Sequence, residues 1–151
     1  GRMLNDSLKC SILVLGSASE RELCGRVART IGPSAVDLAG QTTLPELAAA
    51  LSLCALVIAN DSGGMHLATA VGTPVVAVFG ITDPAKTGPM GEHVCVLQDS
   101  PVQDRDLDRE SEIAAMSLSR IRPEHVFEAV CKQLGGMKHK KPEKDGDLNR
   151  R

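Results

Sequence analysis

The sequence predicts an α/β fold, a parallel sheet with helices on both faces. Three observations predict it. Apolar runs of four to six residues recur along the chain, each stopped by glycine or a polar cluster. The segments between them carry helix-start signals. Strand and helix alternate about four times, the pattern of a parallel sheet built through helical crossovers.

The elements follow in order. Residues 1–9 (GRMLNDSLK) read as the tail of a helix. Cys10–Leu15 is a buried parallel strand stopped by Gly16. Ser19 caps a helix over residues 20–31, with Glu20 and Glu22 in its first turn and Gly32-Pro33 at its end. Ala35–Leu38 is a second strand, and Gly40-Gln41-Thr42-Thr43 a turn. Thr43 caps the next helix, with Pro45 and Glu46 in its first turn and an apolar run from Leu47 to Leu51 behind it. Ala55–Ala59 is a third strand, Asn60–Gly64 a polar loop, and Met65–Val71 a short helix ending at Gly72. Pro74–Phe79 is a fourth strand closed by Gly80. A long Gly/Pro loop spans Ile81–Glu92, and Val94–Leu97 is a fifth strand. Residues 99–119 are polar and show no clear period. Pro123 opens a last helix to Leu134, ended by Gly135-Gly136, so residues 1–136 form the folded domain. Residues 137–151 have almost nothing to bury and read as a disordered charged tail.

Composition narrows the function classes. The chain has 151 residues, 42% of them hydrophobic, enough for one domain with a real core. It has two Phe and no Trp or Tyr, so the core is aliphatic and base stacking on aromatic rings is nearly ruled out. Residues 132–151 hold seven Lys/Arg and three Asp/Glu; residues 1–131 hold the remaining ten and sixteen, a net charge of −6. An acidic body speaks against nucleic acid as the partner. The five cysteines form no C-x-x-C pair and read as buried thiols in a reducing cytosol. No apolar run approaches the ~20 residues of a membrane span, and no signal peptide is present, so the expected compartment is the cytoplasm. His93 and His125 lie apart with no metal-ligand spacing, and no cofactor or metal is expected. The acidic stretch Asp99–Glu112 reads as a solvated loop.

Ligands on such sheets bind beyond the carboxyl ends of the strands. The loops there are Gly16–Ser19, Gly40–Thr43, Asn60–Gly64 and Gly80–Glu92. Asn60–His66 is the sharpest of these, following a strand and opening a helix. Gly63 and Gly64 remove side chains where backbone could approach a ligand. The first helical N–H groups carry partial positive charge, which suits a phosphate. Ser62 adds a hydroxyl, and His66 lies one turn into the helix. Asp61 would repel a phosphate; capping the helix or binding sugar hydroxyls suits it better. A capped strand-to-helix turn with a helix-face histidine explains the same residues equally well from spacing alone. Asp83 after Thr82 could orient the Ile81–Glu92 loop or simply stabilise a turn. Ser62 has no G-x-S-x-G context, so a hydrolase nucleophile is disfavoured, and no G-x-G-x-x-G follows a strand as a nicotinamide dehydrogenase would require.

The neighbours of that loop decide the balance. Residues 38–91, LAGQTTLPELAAALSLCALVIANDSGGMHLATAVGTPVVAVFGITDPAKTGPMG, resemble glycosyltransferase family nine, the ADP-heptose:lipopolysaccharide heptosyltransferases. The family's LAG-x-T-x-L, D-S/T-G-x-x-H and P-x-V-A-x-[FY]-G-x-T-D-P parts occur in order and at matching spacing. Gly16-Ser17-Ala18 with Glu20 is similar to the family's G-S/A-x-x-E loop, and the likeness runs over about residues 10–134. It implies a two-domain GT-B fold with the site in the cleft between Rossmann-like halves, this chain being the C-terminal, donor-binding half. By resemblance, Asp61, Ser62, Gly63, Gly64 and His66 contact the donor diphosphate and adjacent sugar. Thr42 and Leu44, in the Gly40–Leu44 loop, would lie near the base, and Glu20 would meet ribose hydroxyls. The implied partners are ADP-heptose and the lipopolysaccharide core acceptor, and the basic tail could touch the inner face of the inner membrane.

The chain departs from the family in two respects. The family's C-terminal half begins with a strand, a P-G-A loop and a lysine, and nothing like them precedes Ser11. The acceptor half, with the base the family uses, has no counterpart here either. The expectation is therefore an N-terminally truncated half, catalytically silent alone, either a fragment or a non-catalytic nucleotide-binding paralogue. With a central strand missing, Cys10–Leu15 and Ala55–Ala59 must pair directly or leave open edges.

Overall fold

The computed structural model of the chain describes residues 1–98 and 112–137. Helix α1 (Arg2–Leu8) leads into β1 (Ile12–Val14), a 3-10 turn (Ala18–Glu20) and α2 (Arg21–Ile31). β2 (Ala35–Asp37), α3 (Leu44–Ser52), β3 (Val57–Asn60) and α4 (Gly63–Ala70) follow. β4 (Val75–Phe79), α5 (Pro84–Thr87) and β5 (Val94–Gln98) complete the strands, and α6 (Glu112–Ser119) and α7 (Pro123–Met137) close the described chain.

Every strand pairing is parallel, but the strands form two sheets rather than one. β1 pairs with β2, setting Ile12 against Ala35. In the other sheet β4 lies between β3 and β5, with Asn60 against Val78 and Phe79 against Gln98. Of the two outcomes left open by the sequence, direct pairing or open edges, the chain takes the second: β1 and β3 do not pair. The Val57 N–H bonds to Pro74 and the Ile12 N–H to Ser34. Backbone groups alternate along a strand, so Leu13 and Ile58 turn theirs to the opposite edges.

The core sits on the two faces of β4. On one face Val75, Ala77 and Phe79 pack with Leu51 of α3 and with Met65 and Ala68 of α4. On the other, Val76 packs with Ala129 and Val130 of α7, flanked by Leu4 of α1. Helices therefore cover both faces, as the sequence predicts. No helix among the described residues is long and apolar enough to cross a membrane.

Several expected boundaries move. The first turn after β1 is capped by Ser17, not Ser19: the Ser17 hydroxyl and N–H both donate to Glu20 Oε2, at 2.6 and 2.8 Å. α4 starts at Gly63, two residues before Met65, because Ser62 is the extended N-cap residue. The long Gly/Pro loop contains one helical turn, α5, capped where Asp83 Oδ1 accepts from the Ala85 N–H at 3.0 Å. The turn-stabilising reading of Asp83 is the one the geometry supports. α6 occupies a segment read as irregular. α7 continues through Gly135-Gly136 to Met137, since glycine costs a helix only about 1 kcal/mol and Leu134 is already packed on the core. The expected loop at 99–111 and the tail beyond Met137 lie outside the described residues.

The Thr43 cap follows the predicted pattern: its N–H and hydroxyl donate to Glu46 Oε2 at 2.8 and 2.7 Å. Those bonds, backbone first, hold the Glu46 carboxyl below its ordinary range, and the Ser17 bonds do the same to Glu20. A carboxyl whose acidity rises on folding stabilises the fold above the ordinary glutamate range. That contribution fades as pH falls through the lowered value. Thr43→Ala should cost about 1 kcal/mol. Glu46→Ala should melt below the parent chain at pH 7, and the difference should be smaller at pH 3. Thermal melts at both pH values check this; an equal gap at pH 3 would mean the carboxylate is not the cap.

Candidate functional site

The parallel strands deliver their following loops to one end. β3 delivers Asn60-Asp61-Ser62-Gly63-Gly64. Its four residues are held in register by β4, so the loop begins where Asn60 is paired with Val78. Ser62 is extended (φ −152°, ψ 164°) and its side chain makes no capping bond to α4. The Met65 N–H folds back to the Ser62 carbonyl at 3.1 Å. The N–H groups ahead of it are among the four that a helix cannot satisfy internally.

The two glycines have no reason in the fold. Neither Gly63 nor Gly64 has a positive φ. A Cβ on Gly63 would meet nothing within 4 Å, and one on Gly64 would approach only the Ser62 hydroxyl at 3.9 Å. Their effect is to leave the approach to the helix N-terminus open. His66 is exposed and its ring has no partner among the described residues, so it is not a core histidine. Met65, beside it, is fully buried and anchors the turn.

Asp61 is not the N-cap of α4, a role that Ser62 takes. Its Oδ2 instead accepts from the Thr87 hydroxyl at 3.4 Å, linking the loop to α5. Lys86 stands 3.5 Å from Asp83 on the same turn. A cleft of about 180 Å³ opens beside Asp61, lined by Asn60, Val78, Gly80, Ile81, Thr82 and Leu118. Gln98 Nε2 holds its floor by donating to the Gly80 and Thr82 carbonyls at 2.8 and 2.9 Å. A wider cleft of about 420 Å³ lies between α1, α2 and Pro123. It touches none of the strand-end loops, so it is set aside as the candidate.

The other expected residues end the smaller sheet. Glu20 accepts both Ser17 bonds at Oε2. Its first demonstrable role is therefore to cap its own turn. Thr42 is half-buried, and Leu44 is 69% exposed at the first turn of α3. The loops carrying Glu20 and Leu44 touch each other. The Gly40 N–H donates to the Gly16 carbonyl at 2.8 Å, and Arg21 donates to the Ala39 and Gly40 carbonyls. Sequence reading missed Arg21 and Gln98, whose partners lie 16 to 19 residues away. Cys24 is buried, and burial with the Asp37 and Glu20 charges pushes its thiol up, which marks it as structural. Among the described residues no three His, Cys, Asp or Glu gather as a metal site.

What the β3 loop can do chemically is hold an anion by fixed dipoles, with an imidazole beside it. Comparison with known proteins gives the chemistry a context. A model of glycosyltransferase family 9 (heptosyltransferase) matches residues 2–115. The lipooligosaccharide heptosyltransferase 2 of Haemophilus influenzae is 30% identical over 131 residues, covering 82% of this chain and 38% of that protein. The lipopolysaccharide heptosyltransferase 2 of Escherichia coli is 29% identical over 91 residues. In structure, E. coli ADP-heptose lps heptosyltransferase II superposes with a TM-score of 0.75 at 24% identity, covering 91% of this chain and 41% of that one. A family 9 glycosyl transferase from Veillonella parvula gives 0.71 at 30% identity, covering 85% and 38%. The matches thus span about a quarter to two fifths of the length of these relatives.

Two glycines at the strand ends should respond oppositely to a side chain. Gly63→Val should leave stability within about 0.5 kcal/mol, because the added atoms meet open space. Gly80→Ala should cost about 1–3 kcal/mol, since its Cβ would stand 2.7 Å from Ser117 Oγ and 3.3 Å from Leu118 Cγ, forcing α6 away. Chemical denaturation of the two variants checks the contrast; a destabilised Gly63→Val would return that glycine to a structural role.

Proposed function

Because the chain belongs to glycosyltransferase family 9, we propose that it is the donor-binding half of an inverting heptosyltransferase, taking ADP-heptose and serving lipopolysaccharide core synthesis. The observation that carries this reading is the open, glycine-lined N-terminus of α4 with the exposed His66 one turn in. The N–H groups of Gly63 and Gly64 and the His66 ring receive the diphosphate. Asp61 takes a sugar hydroxyl, with Thr87 fixing its Oδ2. The cleft behind Asp61 lies beside the sugar. At the smaller sheet, Glu20 keeps Oε1 for a ribose hydroxyl while Oε2 caps Ser17. Leu44 offers an alkyl surface to the base, with Thr42 beside it.

Chemistry follows from charge. A hydroxyl of the core acceptor attacks the anomeric carbon from the face opposite the ADP, the bond to the diphosphate oxygen breaks, and the configuration inverts. Negative charge grows on the departing ADP, where preorganised N–H dipoles and His66 are already aimed. The residues of this chain act by binding and orientation, with no covalent step. By the family resemblance, the proton of that hydroxyl goes to a base of the acceptor-binding half, not to a residue of the donor-binding loops. The place of action is the cytoplasmic side of the inner membrane, where the lipid-borne acceptor is built.

Titration calorimetry with ADP and with adenosine separates donor binding from fold. His66→Ala should weaken ADP by roughly 1–3 kcal/mol, the range for a hydrogen bond to a charged partner, and leave adenosine unchanged. Equal losses for both ligands would count against the diphosphate contact. Residues 1–151 with ADP-heptose and a deacylated core acceptor should release no ADP above the enzyme-free control. Turnover at even a few per minute would show that this chain contains the whole site.

A further inference from the structure

Arg21 is the residue that none of the site reasoning uses and that the geometry singles out. It begins α2, yet its side chain crosses to the other strand of the smaller sheet. Nε donates to the Ala39 carbonyl at 3.2 Å and Nη2 to the Gly40 carbonyl at 2.8 Å. One guanidinium thus grips two consecutive carbonyls at the carboxyl end of β2. A planar fork can do that; a point-charge ammonium cannot reproduce it.

The backbone around it is shaped to the grip. Gly40 has φ +62°, a left-handed conformation, and a Cβ there would stand 2.6 Å from Ala18 Cα and 2.8 Å from Arg21 Nε. Glycine is therefore required twice, by its torsion and by the close pass of the Ala18 backbone. The Gly40 N–H is tied to the Gly16 carbonyl at 2.8 Å. Asp37 Oδ1 accepts from the Ala39 N–H at 3.0 Å, and the Gln41 side chain donates to the Asp37 carbonyl at 2.8 Å. The loop after β2 is thus held at each residue from Ala39 to Gln41, and Thr42 and Leu44 issue directly from it.

We propose that Arg21 is a positioning residue for nucleoside binding. It locks the Gly40–Leu44 loop against the Ser17–Glu20 turn, so that the surface for the base and the carboxylate for the ribose keep a fixed separation. This rests on the donor-binding reading above. The guanidinium acts through backbone carbonyls, not by touching the ligand. Its chemical consequence is selective: loss should fall on the nucleoside, which ADP and adenosine share, and not on the diphosphate.

The experiment uses residues 1–151 with Arg21→Gln, Arg21→Lys and His66→Ala. Amide hydrogen exchange is read at Gly40–Leu44 and at β4, and ADP and adenosine are titrated into each. Arg21→Gln should speed exchange at Gly40 and Gln41 by about tenfold with β4 unchanged. It should weaken ADP and adenosine by the same factor, roughly three- to tenfold, the scale of one or two exposed hydrogen bonds. Arg21→Lys should recover part of the affinity, and His66→Ala should affect ADP alone. Unchanged exchange at Gly40–Leu44 in Arg21→Gln overturns the positioning role. A loosened loop with adenosine affinity intact overturns the link between that loop and the nucleoside. If the unaltered chain binds ADP no better than His66→Ala does, the diphosphate reading fails instead, while the adenosine and exchange results still decide the role of Arg21.

Discussion

The structure depends on the burial of β4 from both sides. Val75, Val76, Ala77 and Phe79 are wholly out of solvent. Alternate residues serve opposite faces, so one strand of five residues organises α3 and α4 on one side and α7 on the other. Four side chains removed from water contribute several kcal/mol. The site inherits this order. β3 is aligned by β4, the Asn60–Gly64 loop starts where that pairing ends, and Met65 and Ala68 of α4 are buried in the same cluster. The helix N-terminus offered to an anion is therefore fixed by the core at both of its approaches.

Glycine has three different meanings within this short chain. At Gly40 it is demanded by a positive φ and by the approach of Ala18; at Gly80 it makes room for Ser117 and Leu118. At Gly63 neither reason exists, and the missing side chain leaves an unobstructed path to backbone N–H groups. A glycine that the fold does not need, at the first position of a helix that the core holds in place, is the pattern expected of an anion site. The exposed His66 belongs to the same face of that argument, since a histidine kept for packing would be covered.

Local signals in the sequence were largely legible. Each strand followed from an apolar run; β2 and β5 begin with their runs, while β1, β3 and β4 begin one or two residues later. The Thr43–Glu46 capping box and the proline starts of α3 and α7 were readable because their partners lie within one turn. Non-local facts were not. Periodicity does not say which strands pair, so the division into two sheets emerged only in three dimensions. Glu20 was placed at the ribose by its likeness to the family's G-S/A-x-x-E loop, while its capping bonds to Ser17 went unread because Ser19 offered the same residue type nearer the helix. α6 was missed because the polar stretch leading to it shows no clear period, although Ser111 directly precedes Glu112. The forks of Arg21 and Gln98 reach backbone carbonyls, which any sequence would supply, so no residue type marks the recipient. For the anion loop, spacing alone left turn and site evenly matched. The family pattern around it tipped the reading, and the unneeded Gly63 now supports it on physical grounds.

The division into two sheets also divides the proposed site by rigidity. The diphosphate end rests on β3 and α4, which share the densest part of the core. The nucleoside end rests on β1 and β2, each only three residues long, with Leu13 38% and Val36 49% exposed. Little apolar burial holds that smaller sheet, so polar contacts must set its loops: the Ser17–Glu20 cap, the Gly40–Gly16 bond and the Arg21 fork. Hydrogen bonds at a surface contribute about 1 kcal/mol each and fail singly, whereas a packed core fails as a unit. Fluctuation should therefore begin at the Gly40–Leu44 loop and reach the α4 N-terminus last. A ligand that bridges the two ends would couple them, gaining affinity from the preformed anion site and giving up part of it to order the nucleoside loop. Short polar ties, rather than added hydrophobic area, are then the economical place for selection to tune how firmly the donor is held.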